Sequence, residues 1–211
     1  MVRTGVEFLL ELDKSLTEIS IVTGMTREET YKLAKEYNGL ARTMGQLTQD
    51  VTESSVAFFR QGKTMEQTMN LTRASLIASS IANIDMADAS EYLTSSLNGF
   101  MWTSQQAIDV IDKFAKISSS AGTSFEELVI GFQKANSSAY SAGLTFDELA
   151  SYMATVSEVT RESSSSIGNS LKTIITRFGK IADLGKLEED GITATLNGID
   201  ASLRRVGPTL S

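Results

Sequence analysis

Residues 123–132 have the sequence TSFEELVIGF, and this stretch sets the expectation for the fold of the whole chain. Its apolar residues recur at i, i+3, i+4 and i+7, the spacing that places side chains on one helix face: Phe125, Leu128, Val129 and Phe132. Thr123 lies just before this run, and Glu126 follows Thr123 three residues later. A hydroxyl and an acid at this spacing are typical of a capping box. The stretch therefore predicts an amphipathic helix that begins near residue 124.

The same helical spacing recurs on both sides of this stretch. One further run contains Phe146, Leu149, Ala150, Met153 and Val156, and another contains Ile108, Ile111, Phe114 and Ala115. Capping boxes are predicted for Thr26 with Glu29 and Thr145 with Glu148, and weaker ones for Thr64 with Gln67 and Thr103 with Gln106. Left-handed helix ends are predicted at the glycines between the runs, which are Gly24, Gly45, Gly62, Gly99, Gly122 and Gly143.

The only proline is Pro208, so residues 27–180 lack the strongest helix breaker. We predict helices over residues 27–43, 49–61, 65–81, 87–99, 104–119, 124–138, 146–159 and 165–179. The predicted fold class is all-α, a multi-helix array of antiparallel helical hairpins.

Three regions are expected along the chain. Residues 1–22 form a lead-in helix, residues 23–180 a helical core, and residues 181–211 a small appendage or the start of a further segment. Within the last region, residues 192–196 alternate and precede Asn197-Gly198, which favours a small β-hairpin. A helix capped by Asp200 and running through Leu203 is the alternative.

Charge and residue usage exclude several kinds of site. The chain carries a formal net charge of −7 and its tightest basic cluster is Arg204-Arg205, so direct nucleic-acid binding is not expected. It contains no cysteine and no histidine, which excludes disulfides, thiolate zinc sites and cysteine or histidine nucleophile pairs. Acids interrupt residues 1–15, so this stretch does not have the pattern of a signal peptide. We expect no metal ion and no cofactor.

Three patterns that could suggest chemistry have simpler explanations. The acid pairs Glu28/Glu29, Glu126/Glu127 and Glu188/Glu189 point apart on a helix, and the first two pairs fit the dipole of a first turn. The serines at 163–166 are followed by no P-loop lysine, and a turn with an N-cap explains them. The uncharged stretch 74–84 is too short to span a bilayer and fits a buried helix. We therefore predict no enzymatic activity.

We expect the apolar helix faces to carry the function of the chain. The residues chosen as candidates for packing or self-association are Phe125, Leu128, Phe132, Phe146, Leu149, Met153, Ile108 and Phe114. The aromatic residues Trp102, Phe58, Phe59 and Phe100 are likewise interpreted as packing residues rather than a ligand site.

In the order of these elements the chain resembles the conserved core of bacteriophage tail tape measure proteins. Four segments carry the resemblance. The first is IVTG at 21–24 with an acidic helix start at 27–29, and the second is residues 89–100, ending in LNGF, with QAIDVID at 106–112. The third is SSSAGTSFEEL at 118–128 with AGLTFDEL at 142–149, and the fourth is GNSLKTIITRF at 168–178. Residues 44–70 match less well, with Phe58-Phe59-Arg60 where a smaller, alanine-rich helix is expected. The chain is also much shorter than a complete length ruler, so we expect a fragment or a truncated relative.

The resemblance implies a structural protein of the phage or prophage-derived tail that acts in tail assembly, length determination and DNA delivery. It implies self-association, with tail tube protein, tail-tip proteins and tail assembly chaperones as partners. It also implies a location in the lumen of the virion tail, and in the host cytoplasm during assembly. The alternative is a membrane-active helical segment, with residues 74–84 in transient contact with the membrane to aid DNA passage through the cell envelope.

Overall fold

The computed structural model describes residues 2–182, with side-chain surroundings for all of them except residues 2–4, 121 and 179–182. Within residues 2–182 the chain forms nine α-helices and one short 3-10 turn, with no strand. The helices are α1 (Val2–Thr23), α2 (Arg27–Met44), α3 (Thr48–Arg60), α4 (Met65–Ala82), α5 (Met86–Gly99), α6 (Ala107–Ala121), α7 (Phe125–Ser141), α8 (Phe146–Thr160) and α9 (Ser164–Ala182), and the 3-10 turn Ser104–Gln106 precedes α6. The all-α class is confirmed. The arrangement as successive hairpins stays a prediction, and the predicted β-hairpin lies outside the described residues.

Most helix starts are built as the sequence predicts. Complete capping boxes join Thr26 to Glu29 at α2, Thr64 to Gln67 at α4, and Thr145 to Glu148 at α8. Before the 3-10 turn, the amide of Thr103 donates to the side-chain oxygen of Gln106 over 2.9 Å. These contacts satisfy amides that have no partner within the helix, which is why each helix begins where it does.

The capping box predicted for Thr123 with Glu126 is wrong by one residue. Ser124 caps α7, its hydroxyl accepting from the amide of Glu127 over 3.1 Å. The shift follows from burial, because α7 begins at Phe125, whose ring is 6% exposed, and Thr123 is itself buried at 7%. The Thr123 hydroxyl instead lies 3.4 Å from a carboxylate oxygen of Glu127.

Gly99 is also not the left-handed helix end that the sequence predicts. The other five glycines have positive φ angles, but Gly99 is the last residue of α5, and the positive φ comes two residues later at Met101. A Cβ at Gly99 would overlap the side chain of Asn136 on α7. This glycine is therefore required for a close approach between helices and not for a turn.

The chain divides into two compact units. Among the described residues, unit 1 comprises residues 2–97 and 102–115, and unit 2 comprises residues 98–101 and 116–182. In unit 1, α1 packs against both α2 and α3, and α3 packs against α4. One apolar cluster joins these helices, with Ile19, Tyr37 and Val51 fully buried. The three-region division predicted along the chain stays a prediction.

Unit 2 is organised by a backbone contact between α7 and α9. A Cβ placed on Gly168 of α9 would overlap the carbonyl group of Gly131 on α7. A Cβ on Gly131 would in turn overlap the terminal methyl of Met153 on α8 and lie 2.5 Å from the carbonyl oxygen of Ser164 on α9. Both glycines are buried, so three helices meet at one point where only glycine fits.

Gly168→Ala should therefore destabilise the protein although alanine is the better helix former. We expect overpacking against the Gly131 carbonyl to lower the free energy of unfolding by about 1–3 kcal/mol. Gly39→Ala is the matched control, because Gly39 lies in α2 with open space around its missing Cβ, and there alanine should add about 0.5–1 kcal/mol. Denaturant unfolding followed by circular dichroism measures both values. Equal stabilisation by the two substitutions would contradict the close crossing.

Candidate interaction surfaces

The candidate packing residues lie almost entirely inside the protein. Seven of the eight are at most 6% exposed: Phe125, Leu128, Phe132, Phe146, Leu149, Met153 and Phe114. Ile108 is 38% exposed, so its helical spacing with Ile111 places it at the edge of the buried face. In the folded chain the seven buried residues hold each unit together and present little surface to a second molecule.

Unit 2 contains an aromatic cluster. The ring centroids of Phe132 and Phe146 are 4.5 Å apart, and Phe100 lies 5.4 Å from Phe132 and 5.8 Å from Phe146. Tyr140 contacts Phe100 edge to face at 6.0 Å. Such pairs add to the stabilisation that burial alone provides. The cluster is therefore part of the core of unit 2, as the sequence analysis proposed for Phe100, and not a ligand site.

The core of unit 1 contains a buried phenol. Tyr37 is 0% exposed, and its hydroxyl faces the hydroxyls of Ser55 and Thr72 without forming a hydrogen bond within the described residues. Burial raises the pKa of Tyr37 to about 12, because the phenolate would be desolvated there. The group is neutral at physiological pH and acts as a core residue.

Tyr37→Phe tests the unpaired hydroxyl. Burying a polar group without a partner costs free energy, so we expect removal of the hydroxyl to leave stability unchanged or to raise it by about 1 kcal/mol. Tyr37→Ala should instead cost about 3–5 kcal/mol, because it opens a cavity in the core. Thermal unfolding of the two variants measures the difference. A loss of stability in Tyr37→Phe as large as in Tyr37→Ala would show that the hydroxyl makes an essential bond.

The acidic residues at helix starts cap helices. Hydrogen bonds from the backbone and the hydroxyl of Thr26 lower the pKa of Glu29 below its usual value. Glu28 pairs with Lys32 one turn along the exposed face of α2, 2.9 Å away. The serine run has a similar role, since the Ser163 hydroxyl accepts from the amide of Ser166 at the start of α9. The pair Glu188/Glu189 lies outside the described residues.

The capping box at Glu29 gives a pH dependence with a defined sign. Its carboxylate is stabilised in the folded state, so this contribution is complete above the ordinary glutamate pKa of 4.5 and is lost as the pH falls through the lower folded value. Thr26→Ala should therefore lower the melting temperature at pH 7 and have a smaller effect at pH 3. Melting curves across this range test the assignment. An effect that is constant with pH would show that the carboxylate does not contribute.

An acidic groove runs between α3 and α5 in unit 1. It encloses about 770 Å³ and is open to solvent. At its floor the Ser90 hydroxyl donates to the carbonyl of Met86 over 2.7 Å and is also hydrogen-bonded to the Ser54 hydroxyl. The acids that line the groove are Glu18, Asp50, Glu53, Asp85 and Glu91, and its one basic residue is Arg60. We call this feature the α3/α5 groove.

The charge of the α3/α5 groove is poorly compensated. Arg60 forms a salt bridge with Glu18, which leaves the other four acids without a salt bridge to any residue that the structure describes. Partial burial and the nearby charge of Asp85 raise the pKa of the Asp50 carboxyl above its usual range. The groove therefore presents a negative potential to anything that enters it.

The outer face of α9 in unit 2 has the opposite charge. Residues 164–182 contain no acid and three basic residues, Lys172, Arg177 and Lys180. Lys172 and Arg177 are exposed, whereas Ile167, Gly168 and Ile175 on the inner face are buried. We call this surface the α9 basic face. No prediction from the sequence named this surface, although the absence of acids from residues 164–182 is visible there.

Apolar side chains on α1 remain at the surface. Val6, Leu9 and Leu10 are 52–65% exposed, and Ile21 is 78% exposed. Residues 74–84, considered above as a membrane-active segment, are buried in their first part, with Ala74, Leu76 and Ala78 at most 1% exposed, whereas Ile81 further along is 51% exposed. Among the described residues, no helix combines the length and the apolar character needed to cross a membrane. Nor do three or more metal-ligating residues come together in that part of the chain.

A family described as phage-related minor tail protein matches residues 35–206, which is most of the chain and includes the second half of α2 and every later described helix. No solved structure matches the chain.

Proposed function

Because this chain belongs to the family of phage-related minor tail proteins, we propose that it is a folded helical element of the tape measure protein in a phage or prophage-derived tail. The family establishes a structural role in the phage tail. The tape measure role rests in addition on the ordered segments at 21–29, 89–112, 118–149 and 168–178, all of which lie in described helices or their caps. The location in the tail lumen, and in the host cytoplasm during assembly, is part of the proposal.

The single observation that favours a folded element over a length-measuring segment is the crossing at Gly131 and Gly168. A segment that measures length as one extended helix rises about 1.5 Å per residue and needs no contact between its helices. Among the residues that the structure describes, the longest helix has 22 residues, and the helices of unit 2 meet at a point where a single methyl group would overlap. The sequence is therefore adapted to a packed body.

The partners proposed for this body are tail tube protein, tail-tip proteins and tail assembly chaperones. Its exposed apolar residues on α1, such as Leu9 and Leu10, are suited to contacts with these partners. No enzymatic activity is needed for this role, and the chain contains neither the histidine nor the cysteine on which many hydrolases depend. The membrane-active alternative has weaker support, because Ala74, Leu76 and Ala78 of this segment are already buried within unit 1.

Two changes in the parent gene separate a folded element from a ruler segment. In-frame deletion of residues 123–160 should remove roughly 57 Å from the tail if these residues measure length as a continuous helix. For a folded element we expect either tails of normal length or loss of tail assembly. Electron microscopy of purified particles gives the length directly, and shortening on this scale would overturn the proposal.

The second change keeps the length of the chain constant. Gly168→Leu should disrupt a packed unit 2 and lower the yield of infectious particles, whereas an extended helix would tolerate leucine well. Gly39→Leu is the matched control, because its side chain would point into open space on α2. Equal yields from the two variants would contradict a folded element in the assembled tail.

A further inference from the structure

We propose that copies of this chain associate head to tail, with the α9 basic face of one copy seated in the α3/α5 groove of the next. This inference goes beyond the proposed tail function and does not depend on it, since it concerns only how two copies of the chain meet. The size of the groove, its negative charge and the positive charge of the helix support this contact.

The size of the groove suits a helix. A helix taken as a cylinder of ~10 Å diameter and ~5.4 Å pitch fills about 420 Å³ per turn, so the 770 Å³ groove accommodates about two turns. The side chains that line it are small at Ala57 on α3 and at Ala87 on α5, and both of these residues are exposed. Small residues at these positions allow another helix to approach the two backbones closely.

The groove also carries groups that a basic helix can satisfy. Glu53 on α3 and Glu91 on α5 are exposed on its opposite sides, and Asp50 and Asp85 lie at one end. A cation seated between the two walls therefore gains ion pairs on both sides and relieves repulsion between the acids.

The α9 basic face matches the α3/α5 groove in length and is opposite to it in charge. Lys172 and Arg177 are five residues apart, or about 7.5 Å along the helix axis, which is within the two turns that the groove accommodates. Between them the exposed residues include Thr173 and Thr176, which are small enough to enter a narrow groove. Neither Lys172 nor Arg177 forms a salt bridge with another residue of the described chain.

A second copy is favoured over other occupants by the charge of the groove. Nucleic acid would be repelled by four uncompensated acids. A basic helix is attracted, and this chain itself supplies one, with three basic residues and no acid. Because the two surfaces differ, the contact is heterologous, so each copy keeps one free surface and the assembly grows into a ring or an open filament.

Charge-reversal variants of the whole 211-residue chain test the proposal. One variant carries Glu53→Lys with Glu91→Lys in the groove, and the other carries Lys172→Glu with Arg177→Glu on α9. Analytical ultracentrifugation should show concentration-dependent growth of the wild-type chain and, for each variant alone, association weakened about tenfold or more. Adding salt to the wild type should weaken association in the same direction, because these charges are exposed.

Mixing the two variants is the decisive measurement. The α9 variant keeps a native groove and the groove variant keeps a native α9, so together they can form the native contact. The reversed groove and the reversed α9 also carry opposite charges, so we expect the mixture to regain the concentration-dependent growth that each variant alone has lost. Circular dichroism confirms that each variant is folded, and Glu36→Lys with Glu66→Lys, at exposed sites outside the groove, should associate like the wild type.

Three outcomes would overturn the proposal. A wild-type chain that stays monomeric at high concentration would show that the two surfaces do not bind each other. Variants that associate as strongly as the wild type would assign self-association to another surface, such as the exposed apolar residues of α1. A mixture that does not regain association, although each variant is folded, would show that the groove and α9 are not partners.

Discussion

The contact between the backbones of Gly131 and Gly168 is the constraint on which the structure of unit 2 depends. Without a Cβ on either residue, α7 and α9 can touch through their backbones, and Met153 of α8 covers the crossing from a third side. The aromatic cluster of Phe100, Phe132 and Phe146 then fills the space around it. A larger residue at the crossing would move α9 away from α7, and the interdigitated side chains around it would lose their contacts.

Helix capping explains much of the distribution of charge. Where a helix begins with a hydroxyl and an acid, as at Thr26 and Glu29 or Thr145 and Glu148, the first turn carries negative charge. The start of α9 is made by serines, with Ser163 as the cap, so this helix needs no acid and its outer face is basic. The same local rules thus place negative charge at several helix starts and leave the start of α9 without it.

A structural role in a tail fits this combination of features. Most of the large apolar residues are buried in the two packed units, and the acidic α3/α5 groove, the α9 basic face and the apolar residues of α1 remain for contacts with other molecules. Contacts of this kind bind through shape and charge and need no catalytic group. When two different surfaces of opposite charge bind each other, successive copies are joined in one orientation, head to tail. A symmetric contact between identical surfaces joins only two copies and does not continue in this way.

The sequence alone determined the helices and most of their caps, because apolar spacing, capping pairs and glycine at helix ends are local properties of the chain. The predicted helix at 146–159, for example, is found at Phe146–Thr160. Tertiary structure decided what depends on neighbours distant in sequence. Burial of Phe125 placed the cap of α7 at Ser124. The side chain of Asn136 lies so close to Gly99 that only glycine fits there. Ile108 is exposed because it lies at the edge of a packed face. The α3/α5 groove belongs to this second class, since no local pattern shows that acids from two helices line one cavity.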